Sequence, residues 1–216
     1  MKRKSVLIAA LWLLAASTVL AQPTIKDLED TLSRNPSDVA TLVQLGKLYH
    51  DRAAAGDNDA VEKGFTYLDR ALELDSSNAV ALAYRGSLWT MRARDAWWPF
   101  NKLSKVDRGV DEMDKAVDRA PENITVRLVR AINGVQLPEM FHRLPVALKD
   151  FDHLLKTPEF GRLTPQLRCT IYCWAGIANK KDHQPARAKE YLQRAVDLGA
   201  GTPLGTRAQV ELKDLP

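Results

Sequence analysis

One phrase keeps coming back in this chain, and it constrains the fold more than any other feature. Its clearest copy is Ala116-Val-Asp-Arg-Ala-Pro-Glu-Asn123: the end of a helix, a proline stop and a polar lead into another helix. Worn copies are Ala71-Leu-Glu-Leu-Asp-Ser-Ser-Asn78, Leu32-Ser-Arg-Asn-Pro-Ser-Asp38 and Ala195-Val-Asp-Leu-Gly-Ala200. A helix-stop-helix signal at a spacing of about forty residues marks a stacked helical repeat. Each unit cannot bury its apolar face alone, so neighbours must stack into one continuous core.

The segments between the stops read as helices. Thr24 is placed to cap a first helix, Ile25–Arg34, whose Ile25, Leu28 and Leu32 fall at helical spacing, and Asn35-Pro36 ends it. The following segment carries Leu42, Leu45-Gly46 and Tyr49, then Gly64, Leu68 and Ala71, with Ser76 at the closing position. The second unit has Leu82, Gly86 and Trp89, then Gly109, Met113, Ala116 and Pro121. The third has Arg127, Arg130-Ala131 and Gly134, then Ala147, Phe151 and Leu154; the fourth has Tyr172, Ala175-Gly176, Ala188, Leu192 and Ala195.

A large residue, Leu-Gly and an aromatic on one helix, then a small residue, a large residue, alanine and a closing proline on the next, resembles the tetratricopeptide repeat. The resemblance covers about residues 39 to 200. It implies an all-α fold, a right-handed superhelix of antiparallel helical hairpins. The expected units are 39–76, 79–121, 124–159 and 169–200, flanked by helices 25–34 and 203–215, in a single domain 22–216. The chain departs from the family in length. A standard unit has about 34 residues, whereas closing positions 36, 76, 121, 159 and 200 give periods of 40, 45, 38 and 41. The excess falls inside the first three hairpins and, for the fourth, ahead of it in 157–165. Inserts in a solenoid project from one face and often carry binding, though added loop length is also cheap to tolerate.

Before the first repeat, Lys2-Arg-Lys4 precedes an apolar run from Val6 to Leu20 and the small-x-small site Val19-Leu-Ala21. That is the layout of a secretory signal peptide, 1–21, with the mature chain starting near Gln22. An uncleaved anchor is the other reading of the same run. Export is expected, to the periplasm of a bacterium or secreted otherwise, with no stable membrane insertion after cleavage. The net charge of +4, less those three basic residues, leaves +1, which argues against nucleic-acid binding driven by bulk charge.

Three stretches stand out as candidate sites. Insert 92–105 holds Trp97, Trp98 and Phe100 around Pro99, with Arg92 and Arg94 beside them. Tryptophan and arginine are favoured in binding hot spots, so these residues form a candidate partner-binding surface, or the rings fold back beside the second hairpin. Insert 137–145 adds Met140, Phe141, His142 and Arg143, and the sequence alone does not decide whether the two inserts meet.

Arg127 and Arg130 occupy positions where the resemblance implies apolar residues facing the partner helix, and a guanidinium there must be paired. Asp107, Asp111 and Asp114, at i, i+4 and i+7, are the expected partners. The cluster reads either as a structural ion-pair network or as a pocket for an acidic ligand. Cys169 and Cys173, four apart on an expected helix, read as two half-buried free thiols, since helix geometry opposes a bridge at that spacing. His50, His142, His153 and His183 show no metal-ligand spacing, and no catalytic or phosphate-binding motif is found; no cofactor, metal or catalytic residue is expected.

Three functions are compatible with these residues. The first is an exported non-catalytic scaffold, expected as a monomer, that binds a polypeptide through its concave face or insert 92–105. Its inner face is expected to expose Val43, Lys47 and His50, then Ala83, Ser87 and Met91, then Leu128, Ile132 and Gln136, then Ile177 and Lys181. The second is a small-molecule binder or transporter accessory, with Arg127, Arg130 and the tryptophans in the wall of its pocket. The third, an enzyme, would need convergent titratable residues, and the sequence offers only arginine-aspartate pairs.

Overall fold

The computed structural model describes residues 23–94 and 99–215, without the side chains of 99–101. The expected signal peptide, Trp97, Trp98 and the Phe100 side chain lie outside the described residues. What is described is an all-α solenoid. Helices α1 (Ile25–Arg34), α2 (Val39–Ala54), α3 (Asp59–Leu74), α4 (Ala79–Arg94) and α5 (Pro99–Arg119) come first. Then follow α6 (Ile124–Gln136), α7 (Leu144–Lys156), α8 (Pro165–Lys181), α9 (Pro185–Leu198) and α10 (Pro203–Lys213). The hairpins are α2/α3, α4/α5, α6/α7 and α8/α9, with α1 on one end and α10 on the other.

The recurring phrase has a single physical meaning. At each stop, the first residue past the helix donates its N–H back to the helix, and the residue three further on donates to the first one's carbonyl. Asn35 and Asp38 do this at 3.0 and 3.2 Å, Asp75 and Asn78 at 2.8 and 3.1 Å, Ala120 and Asn123 at 3.0 and 3.1 Å. Gly199 and Thr202 repeat it at 2.9 and 2.9 Å. The residue that closes the turn then caps the next helix: Asp38, Asn78, Asn123 and Thr202 each accept a backbone N–H from its first turn. Thr24 forms a reciprocal capping box with Asp27 at the start of α1. One four-residue turn therefore stops one hairpin and starts another.

The hairpins close through small residues. A Cβ on Gly46 would strike Leu68, and one on Gly176 would strike Leu192. Between α4 and α5 the approach is backbone to backbone, since a Cβ on Gly86 would lie 2.6 Å from the Gly109 carbonyl oxygen. The large side chains gather in two cores. Leu42, Leu45, Leu68, Leu88 and Met113 anchor the first; Phe151, Leu154, Ile171 and Leu192 anchor the second. Helix α6 belongs to both, giving Val126 and Val129 to the first and Leu128, Ala131 and Val135 to the second.

Three expectations need correction. Residues 92–94 and 99–105 are not a projecting loop but the last turn of α4 and the first turns of a 21-residue α5. Ala83, Ser87, Leu128 and Ile177, expected on an open inner face, are buried, because the first helices of neighbouring hairpins pack on one another. Helix α8 begins at Pro165, four residues earlier than expected, because Thr164 accepts the Leu167 N–H and Pro165 occupies the first helical position.

Candidate functional site

An apolar groove of about 520 Å³ lies between the second and third hairpins. Helix α4 supplies Thr90, Met91, Ala93 and Arg94 to one wall, and α5 adds Lys102, Leu103 and Val106. The opposite wall is Asn133 and Gln136 from the end of α6, then Leu137, Pro138, Met140 and Phe141 from the segment that follows. The two inserts thus meet across one groove. Met140 is 65% exposed and Leu103 38%. Large apolar side chains left in water around a concave site are the usual mark of a binding surface.

Local structure explains why the loop presents these side chains. Leu137-Pro138 ends α6 by moving into extended backbone, a 3-10 turn (Glu139–Phe141) follows, and His142 closes it in the left-handed region at φ 51°. Asn133 sits at the floor, buried. Its Nδ2 donates to the Thr90 hydroxyl at 2.6 Å, and that hydroxyl donates in turn to the Ser87 carbonyl at 2.7 Å. With its proton so used, Thr90 can only accept, which fixes the orientation of the Asn133 amide. Ser87 continues the polar chain to His50 Nε2, 2.9 Å away.

In the arginine cluster both guanidiniums are bound to carboxylates. Asp150 of α7, fully buried, takes Arg127 Nη1 at 2.7 Å and Arg130 Nε and Nη2 at 2.8 Å each. Asp114 of α5 accepts from Arg130 at 3.1 Å and also from Arg143. Burial alone would lower the Arg130 pKa; the hydrogen bonds and charge of Asp150, then of Asp114, hold it above its ordinary value. Of the three expected partners only Asp114 takes part. Asp107 stays exposed, and Asp111 pairs with Lys115 at 2.6 Å on the outside of α5. The sequence reading overlooked Asp150, although it lies on the apolar stripe Ala147, Phe151 and Leu154, where a lone carboxylate signals a buried cation.

The remaining candidates divide between groove and scaffold. Phe141 lines the groove with Arg94. Arg92 does not: its guanidinium pairs with Glu62 and lies 4.0 Å from the centroid of the Phe65 ring. Arg143 is likewise committed, to Asp114. A second buried acid, Glu112, holds Arg85 at 2.9 and 3.0 Å beside the α4/α5 contact. Cys169 and Cys173 are free thiols, fully buried rather than half-buried. Burial pushes the Cys173 thiol up to about 11. Among the described residues there is no group of three or more His, Cys, Asp or Glu that could hold a metal ion, and no helix long and apolar enough to cross a membrane.

No family model matches the sequence, and no curated protein matches it. Among solved structures, the chain is similar to a thermophilic TPR protein in Thermus thermophilus, with a TM-score of 0.68, 13% identity, and coverage of 88% of this chain and 89% of that one. A second match, YrrB, a TPR protein with an unusual peptide-binding site, has a TM-score of 0.38 and 16% identity over 87% of this chain and 100% of that one, too distant to inform this molecule. The repeated turn, the glycine-closed hairpins and the first of these likenesses agree: this chain has the tetratricopeptide-repeat fold.

Proposed function

We propose that the protein is an exported, non-catalytic helical-repeat scaffold that binds a polypeptide partner in the groove between its second and third hairpins. The observation that carries this reading is the groove itself: apolar walls from two separate inserts, with Met140 and Leu103 held out in water at its rim. Export is supported by the basic start, apolar run and small-x-small site of residues 1–21. The arginine cluster contributes scaffold, since Arg127, Arg130 and Arg143 are each bound to Asp150 or Asp114.

The test is site-directed photocrosslinking in an envelope extract, with residues 22–216 carrying a photoreactive side chain at position 140 or, as control, at exposed Val210 of α10. A polypeptide crosslinked from position 140, absent from position 210 and lost in a Leu103→Glu background of unchanged helicity and Tm is the expected result. Equal crosslinking from both positions would remove the groove from the proposal. A second reading has one observation in its favour: 520 Å³ lies within the size range of small-molecule pockets, about 300–1,000 Å³. If nothing crosslinks and a metabolite raises the Tm of the parent but not of Leu103→Glu, the small-molecule or transporter-accessory reading takes its place.

A further inference from the structure

A second recess, of about 390 Å³, opens on the other side of Gln136, between the end of α6, α8 and α10. Gln136 lines both recesses, so the groove and this one are neighbours across a single side chain. Their charges are lopsided. Arg94 and Lys102 line the apolar groove; Lys180, Lys181 and Arg207 line the second recess, and among the described residues lining either, Glu211 is the one carboxylate.

Glu211 is taken by Lys180, 2.9 Å away. Lys181 spends one N–H on the Val135 carbonyl, at 2.6 Å, where α6 ends. The Arg207 guanidinium lies 4.1 Å from the centroid of the Trp174 ring and, among the described residues, pairs with no carboxylate. A guanidinium held over an indole ring keeps N–H groups with which to donate to a carboxylate. Lys102 on the apolar side and Lys181 and Arg207 beyond Gln136, none of them paired with a carboxylate among the described residues, put positive charge around an apolar centre, on a chain whose net charge without Lys2, Arg3 and Lys4 is only +1.

We infer that the two recesses form one bipartite site, and that its partner is a polypeptide segment with an apolar anchor flanked by acidic residues. The apolar anchor fills the groove at Met140, and carboxylates meet Lys102 on one side and Lys181 and Arg207 on the other. This inference rests on the scaffold reading above and adds the partner's chemistry to it.

Three synthetic peptides of equal length serve as probes: a leucine centre flanked by glutamates, the same centre flanked by lysines, and a serine centre flanked by glutamates. Fluorescence anisotropy is measured with residues 22–216 at low and high salt. The glutamate-leucine peptide should bind most tightly, at least roughly tenfold over either other, and lose affinity as salt is raised. Charge reversal at two exposed positions, Lys102→Glu and Arg207→Glu, should invert the preference toward the lysine-flanked peptide, with circular dichroism confirming an intact fold. Equal binding of the two leucine peptides, or no inversion in the double variant, overturns the inference. If the leucine peptides bind alike and Met140→Glu abolishes both, the charge rule fails while the groove stands. If no peptide binds, the inference falls, and crosslinking from position 140 then decides separately whether the scaffold reading survives.

Discussion

At the scale of single residues, the third hairpin depends on a carboxylate in an apolar place. Asp150 is fully buried and answers two guanidiniums, Arg127 and Arg130, whose side chains are 15% and 14% exposed. Such a pair adds little net stability over a well-packed apolar substitute, but breaking it leaves unpaired charge in the interior. Asp150→Asn keeps the shape and removes the charge. It should cost about 3 kcal/mol in urea denaturation, while Asp111→Asn, which touches only exposed Lys115, should cost less than about 0.5 kcal/mol. Equal small losses at both would mean that the arginines find water when Asp150 is neutral. The need for such a partner was legible in the sequence, because Arg127 and Arg130 stand on apolar positions. Its identity was not, because Asp107, Asp111 and Asp114 offered a regular helical row and drew attention from the single acid across the hairpin.

At the scale of helices, stops were easier to read than lengths. The turn that ends one hairpin and caps another uses local hydrogen bonds and local residue types, so sequence alone placed α1 at Ile25–Arg34 and named Thr24 as its cap. The insert after Arg92 was visible as extra length, but that residues 92–94 and 99–105 belong to helices was not, because an aromatic-proline cluster reads as an interruption. The same limit applied to the groove: each insert was visible, but their meeting depends on the angle between hairpins, which no local signal encodes. One wall of the groove is the second hairpin, which closes where α4 and α5 touch. Gly86 and Gly109 bring their backbones together, with the buried Arg85–Glu112 pair alongside. Gly86→Ala would push a methyl toward a carbonyl oxygen that no side-chain rotation can move, and should destabilise by about 1–3 kcal/mol. Gly161→Ala, with nothing within 4 Å of the added carbon, is the matched control and should stay within about 0.5 kcal/mol of the parent. If the two variants melt together, the close approach is slack rather than tight.

For the whole molecule, the division into two cores joined through α6 makes stability a matter of neighbours rather than one global quantity. The outer wall of the second core is α10, which packs on α9 and α8 and brings fully buried Ala208 and half-buried Leu204, Leu212 and Leu215. It also covers Cys173, whose Sγ lies 3.9 Å from the Leu204 carbonyl. Deleting residues 203–216 removes those side chains from the core, at roughly 1 kcal/mol for each half-buried leucine, about 3 kcal/mol together. In native-state hydrogen exchange, amides of α8 and α9 should therefore lose protection by about a hundredfold, while those of α2 and α3 keep theirs within about threefold. A thiol reagent gives an independent reading: Cys173 should be inert in the parent, where burial holds its thiol up at about 11, and reactive in the deletion. Uniform loss of protection across all hairpins would mean that the two cores unfold as one, and that α6 transmits stability along the full length of the solenoid. Confinement of the loss to the second core would instead place the groove, which lies where α4 and α5 meet α6, on the seam between two semi-independent halves. A partner bound there would touch both halves at once, so its binding should restore protection in each, in proportion to its occupancy.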